Sequence, residues 1–180
     1  MRWLSYILLA YLSIAVQIGL SPYLAYHEAS PNLVLLVVIF IAVNAPRDAA
    51  LLACFLLGVL QDMVTQQQPG LFAFSYGVVA LFVVATQQVV YKEHPLTHLS
   101  LALVAGLITA FFLLLHGWVL PPGAKAMDHG VSLPAVRLHP TVELTRVVYT
   151  ALVAPFVLGA LQRMKRFFGF QAAKRRSRMW

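Results

Sequence analysis

Residues 33–62 read LVLLVVIFIAVNAPRDAALLACFLLGVLQD and contain two apolar runs separated by a single short turn. In the turn, Pro46 cannot continue a helix interior, and Asp48 is a residue type that caps a following helix. The segment is therefore predicted to be a tight helical hairpin of two short or tilted membrane crossings. Because each run is short for a full crossing, a re-entrant pair that never crosses the membrane is the open alternative.

The composition of the whole chain also indicates a membrane protein. Of its 180 residues, 61% are hydrophobic and only 11% are charged, and the mean hydropathy is +0.80. Soluble domains carry about 25% charged residues, so ordinary soluble enzymes, disordered regulators and nucleic-acid readers are excluded. The single cysteine, Cys54, excludes an intramolecular disulfide and a cysteine-based zinc site. A crossing needs about 20 apolar residues, so about six crossings fit this length.

The apolar runs predict an all-α integral membrane protein with six transmembrane helices in one domain, residues 1–166, and a basic tail, residues 167–180. The first run is longer than the apolar core of a signal peptide, and no A-x-A site follows it. It is therefore predicted to be a retained helix. The predicted crossings are residues 3–26, 31–45, 48–65, 70–91, 95–120 and 141–162.

The distribution of Lys and Arg predicts the orientation in the membrane. With six crossings, one side holds ten basic residues and the other holds two. Because the more basic side is normally cytoplasmic, both termini are predicted to be cytoplasmic. The net charge of +7 comes mostly from the tail, which can lie along an anionic lipid leaflet. The ten are Arg2, Arg47, Lys92, Arg163, Lys165, Arg166, Lys174, Arg175, Arg176 and Arg178, and the two are Lys125 and Arg137.

Besides Asp48 in the turn, three charged residues lie within the predicted crossings, where an unpaired charge is costly. Glu143 and Arg146 have the i,i+3 spacing that lets them pair on one helix surface. Arg146 could instead bridge to Asp62 on another helix, and all three could also reach only lipid headgroups or water. Asp62 is expected to have a buried structural role, because the apolar residues Met63 and Val64 follow it.

The sequence contains no evident catalytic or metal-binding motif. H-E-x-x-H, G-x-S-x-G and P-loop patterns do not occur, and the six histidines do not combine into a metal site. The chain is therefore predicted to be no enzyme, with no catalytic residue, metal, cofactor or nucleic acid. Ala102, Gly106 and Ala110 recur every four residues, which predicts close helix packing. Pro155 predicts a kink in the last helix.

Three motifs, in their order and spacing, resemble the bacterial rod-shape-determining family MreD along nearly the whole chain. The chain departs from the family pattern in the long loop 121–140 and in the Gln-rich turn 66–69. The matching motifs are Pro31-Asn32-Leu33 with Leu35-Leu36 at the start of the second helix, Gly58-x-x-x-Asp62 followed by Gly70-Leu71, and Pro155 followed by the basic exit 162–166.

The resemblance implies a fold like the substrate-binding subunits of energy-coupling-factor transporters and a role as a non-catalytic membrane scaffold or regulator. The role would be in the elongasome, which inserts peptidoglycan along the side wall of rod-shaped cells, in the bacterial cytoplasmic (inner) membrane. Expected partners are MreC, bound directly through the second to fourth helices, together with MreB, RodA, PBP2 and membrane lipids.

An alternative function is a small-molecule-binding subunit of a membrane transporter, because polar residues such as Gln61 are expected on the outer side of the membrane. The residues expected to carry structure or partner binding are Pro31, Asn32, Gly58, Asp62, Gly70, Arg146 and Pro155.

Overall fold

A computed structural model describes residues 3–25, 29–65, 70–86, 95–119 and 140–164. The prediction of an all-helical chain with six helices is confirmed for these residues. The Gln-rich turn, the loop 121–139 and the tail 167–180 lie outside the described residues. The helices are α1 (Trp3–Leu24), α2 (Leu33–Asn44), α3 (Arg47–Thr65), α4 (Leu71–Thr86), α5 (Pro95–Val119) and α6 (Pro140–Met164).

Helix length separates the six helices into two groups. Among the described residues, α1, α3, α5 and α6 contain segments that are long and apolar enough to cross a membrane. The other two helices are apolar but shorter, with 12 residues in α2 and 16 in α4. At 1.5 Å per residue, α2 is about 18 Å long, whereas the hydrocarbon core is about 30 Å thick. The chain is a membrane protein, and four of the helices that the structure describes reach spanning length, whereas six crossings were predicted.

The short helix α2 lies at the centre of the bundle. All twelve of its residues are buried, and α1, α3, α4, α5 and α6 surround it in that order. Its sequence explains this position, because Leu33–Val43 is apolar on every side and such a helix needs an apolar environment all around. Of the two helices in the predicted hairpin, only α3 therefore presents a face to lipid.

The chain turns back along α1 before α2 begins. The Ser21 hydroxyl donates to the Ser30 hydroxyl at 3.1 Å, and the Gln17 amide donates to the Pro31 carbonyl at 3.1 Å. Gln17 precedes the last residue of α1 by seven positions, so α2 begins about 10 Å below the end of α1. The non-helical residues 30–32 therefore cover part of the depth that a longer helix would have occupied.

The pairing of α5 with α6 uses the small residues noted in the sequence. Ala102 and Ala110 are buried, and a Cβ atom at Gly106 would lie 3.0 Å from the nearest side-chain carbon of Val147. These residues let α5 and α6 approach closely, as the spacing predicts. Pro155 lies half-buried in α6, which continues as a helix to Met164.

Candidate functional site

The carboxylate of Asp62, near the end of α3, caps the start of α4. Its Oδ2 accepts backbone N–H bonds from Gly70 at 3.0 Å and from Ala73 at 3.1 Å, and its Oδ1 accepts one from Phe72 at 2.9 Å. Asp62 is only 4% exposed. The first N–H groups of a helix lack partners within the helix and carry partial positive charge, so a carboxylate stabilises them. Because this cap comes from a neighbouring helix, it also ties α3 to α4.

Two glycines make this arrangement possible. A Cβ atom at Gly58, one turn before Asp62, would lie 2.5 Å from the Cα atom of Ala73 and 2.6 Å from the carbonyl oxygen of Phe72. Gly70 has a φ of +98°, in the region that glycine adopts without steric cost. The sequence candidates Gly58, Asp62 and Gly70 thus act together, and we call these three residues the α3–α4 clasp.

A second polar cluster surrounds the start of α2. Asn32 caps this helix, and its Oδ1 accepts the Leu35 N–H at 3.0 Å. The Asn32 backbone N–H donates to the Thr150 hydroxyl at 2.9 Å, and its side-chain amide donates to the Tyr76 hydroxyl at 3.1 Å. The Gln17 Oε1 accepts the next backbone N–H, that of Leu33, at 2.6 Å. We call Gln17, Asn32, Tyr76 and Thr150 the α2 collar, since they join α1, α4 and α6 to α2.

Glu143 and Arg146 form an ion pair within α6. The Arg146 Nη1 donates to the two carboxylate oxygens of Glu143 at 2.9 and 3.2 Å. The Glu143 side chain is 4% exposed and that of Arg146 is 31% exposed. The i,i+3 pairing is therefore the correct alternative, and the bridge between Asp62 and Arg146 is wrong, because both oxygens of Asp62 bond to amides of α4. The burial of Asp62 and Glu143 also contradicts contact with headgroups or water alone.

The comparison with protein families now identifies the chain. The family model described as rod shape-determining protein MreD matches residues 1–163. The chain belongs to the MreD family. No curated protein and no solved structure matches the chain. Membership in MreD implies a role in rod shape determination and places the chain in the MreBCD shape system. The matched range includes both the α3–α4 clasp and the α2 collar.

The sequence motifs of MreD include all three residues of the α3–α4 clasp but only Asn32 of the α2 collar. Pro31 precedes Asn32 at the start of α2. Arg146, a candidate because of its charge rather than a motif, lies one turn before Thr150 on α6. Sequence reasoning missed three collar residues: Gln17, Tyr76 and Thr150. The available signal was their polar groups within apolar runs, since a buried polar group needs a hydrogen-bond partner.

The collar predicts a measurable contribution from one hydroxyl group. Tyr76→Phe is expected to lower the free energy of unfolding by about 1 kcal/mol, because it removes the hydroxyl that bonds to the Asn32 side chain. The matched control is Tyr23→Phe, at an exposed position on α1, which is expected to leave stability unchanged. Thermal unfolding of both variants in detergent checks this, and equal midpoints would show that the Tyr76 hydroxyl contributes nothing.

Proposed function

We propose that this MreD-family chain is a non-catalytic membrane scaffold or regulator of the elongasome. It binds MreC directly and supports side-wall peptidoglycan synthesis and rod cell shape, in one complex with MreB, RodA and PBP2. The observation that carries the proposal is the family match over residues 1–163. The geometry is consistent with it, because the carboxylate of the clasp and the side chains of the collar bond to other parts of the bundle and so hold the helices together.

We also propose that all six helices cross the cytoplasmic membrane, with both termini in the cytoplasm. The distribution of Lys and Arg between the two sides supports this orientation. The short helix α2 fits a crossing because it is enclosed by protein over its whole length, so its ends need not reach the bilayer surfaces. A likeness to the substrate-binding subunits of energy-coupling-factor transporters remains part of this proposal.

The face formed by α3 and α4 is the proposed binding surface for MreC. Every residue of α2 is buried, so the second helix offers no surface to a partner. In contrast, α3 exposes large apolar side chains such as Leu56 and Met63, and α4 exposes Phe74 and Leu81. The α3–α4 clasp holds the two helices in one fixed arrangement, which lowers the ordering cost of binding a partner helix.

Site-specific photocrosslinking in cells tests this surface. A photoreactive amino acid at Met63 or Phe74 is expected to capture MreC, because both positions are exposed on the proposed face. Leu107 and Phe156 are matched controls, since they are exposed apolar positions on α5 and α6. Capture only at the controls would overturn the choice of face. If no position captures MreC and the intact membrane complex lacks it, direct binding is wrong.

A further inference from the structure

The two edges of the bundle formed by α1 and α6 do not pack against each other. Among the described residues, α1 contacts α2 and α3, whereas α6 contacts α2 and α5. The non-helical residues 30–32 lie between the two edges, since Ser30 bonds to Ser21 on α1 and Asn32 bonds to Thr150 on α6. Ser21, Ser30 and Asn32 are all partly exposed. Among the described residues, this α1–α6 seam is thus a partly open, polar strip.

Arg146 lies on the α6 edge of the seam. It precedes Thr150 by four residues, so the two side chains share one side of the helix. Val147, which packs against Gly106 of α5, points about 100° around the helix from Arg146. Only Nη1 of the guanidinium bonds to Glu143, and the Nε and Nη2 donors have no partner among the described residues. Within the part of the chain that the structure describes, three N–H donors of this charged group are thus left without a partner beside the seam.

The depth of Arg146 in the membrane determines which chemical groups its guanidinium can reach. Asn32 contacts Thr150, and the next residue, Leu33, contacts Gln17 of α1. Arg146 is one turn beyond Thr150 toward the start of α6, and it therefore lies within about one turn of the level at which α1 ends. The exposed Tyr23 lies at that end of α1, where the aromatic residues of membrane proteins meet the headgroup region. A charged donor at this level is within reach of lipid phosphates.

We propose that the α1–α6 seam binds the phosphate of a bilayer phospholipid, with Arg146 as the donor. The planar guanidinium presents paired N–H groups that match the oxygens of a phosphate. The Glu143 carboxylate pairs only with Nη1 and so leaves Nε and Nη2 for the ligand. The acyl chains lie along the lipid-facing side of α1, which exposes Ile18. The site is independent of whether the chain binds MreC.

Native mass spectrometry of the full chain, released from micelles that contain phosphatidylglycerol, tests the site. The wild-type chain is expected to retain this lipid, and Arg146→Gln is expected to weaken retention by about tenfold, because charge-assisted hydrogen bonds are lost. Arg163→Gln, which removes an exposed cation at the other end of α6, should match the wild type. A galactosyl diacylglycerol of equal chain length, which lacks phosphate, should not compete.

The variant Glu143→Gln separates a lipid site from a purely structural ion pair. If the guanidinium binds phosphate, removing its carboxylate partner leaves lipid retention at or above the wild-type level. Reduced retention in Glu143→Gln, unchanged retention in Arg146→Gln, or equal competition by the galactolipid would each overturn the proposal. Cys54 is buried, so an unreactive thiol confirms that each variant is folded; if Arg146→Gln does not fold, the Glu143→Gln and galactolipid results decide.

Discussion

Replacing Asp62 with alanine is expected to lower the free energy of unfolding by about 3–5 kcal/mol, because three N–H groups, two of them buried, lose their acceptor. The donors belong to Gly70, Phe72 and Ala73 at the start of α4. Water cannot easily replace the carboxylate, since Asp62 is 4% exposed. Asp62→Asn keeps one acceptor oxygen but turns an amide NH₂ group toward N–H donors. Its stability should therefore fall between those of the wild type and the alanine variant.

The buried thiol of Cys54 provides the measurement. As the only cysteine of the chain, it contacts the Val38 carbonyl between α3 and α2, so a thiol-reactive fluorophore reports when the bundle opens on heating. Asp48→Ala is the matched control, because Asp48 is an exposed aspartate in the first turn of the same helix. It should cost less than about 1 kcal/mol. Equal unfolding midpoints for the two alanine variants would contradict the role assigned to Asp62.

A charge-reversal pair distinguishes the observed partners of Asp62 from the one that the sequence suggested. Asp62→Arg combined with Arg146→Asp would recover stability if the two side chains paired. In the structure they bond to different groups, the α4 amides and Glu143. The double variant is therefore expected to be at least as unstable as Asp62→Arg alone. Recovery in the double variant would show that the two charges interact after all.

Local patterns in the sequence were sufficient to predict the helices. The apolar runs and the breaker around Pro46 indicate where helices begin and end, because a proline and a capping residue act within a few positions. The environment of α2 could not be predicted in the same way. A helix that is apolar on all sides can be surrounded by lipid or by protein, and only the structure shows that five helices enclose Leu33–Asn44.

The same contrast between local and distant contacts applies to the candidate site. The pair of Glu143 and Arg146 was predictable because both residues lie on one turn of one helix. The burial of Asp62 was predictable from the apolar residues after it. Its hydrogen-bond partners were not predictable, because they are backbone N–H groups, which the identity of a residue does not reveal. The collar joins Asn32 to Thr150 across 118 positions. No periodic pattern encodes such a contact.

Gly58→Ala is expected to destabilise the chain by about 3 kcal/mol, at the upper end of the cost of overpacking a core. The added Cβ atom would lie 2.5 Å from the Cα atom of Ala73. Because the obstacle is backbone rather than a flexible side chain, no change of rotamer relieves it, and α3 must move away from α4. That movement lengthens the three hydrogen bonds of Asp62. The thiol-reactivity midpoint measures the loss, with Gly159→Ala in α6 as the matched control.

The control position differs from Gly58 only in its surroundings. A Cβ atom at Gly159 would meet nothing within 4 Å, so Gly159→Ala should leave stability within about 1 kcal/mol of the wild type or raise it through better helix propensity. Because Gly58 and Asp62 maintain the same contact, the cost of Gly58→Ala with Asp62→Ala should be clearly smaller than the sum of the two single costs. Additive costs would mean that the close approach at Gly58 and the cap by Asp62 are independent, and that the α3–α4 clasp is not one unit.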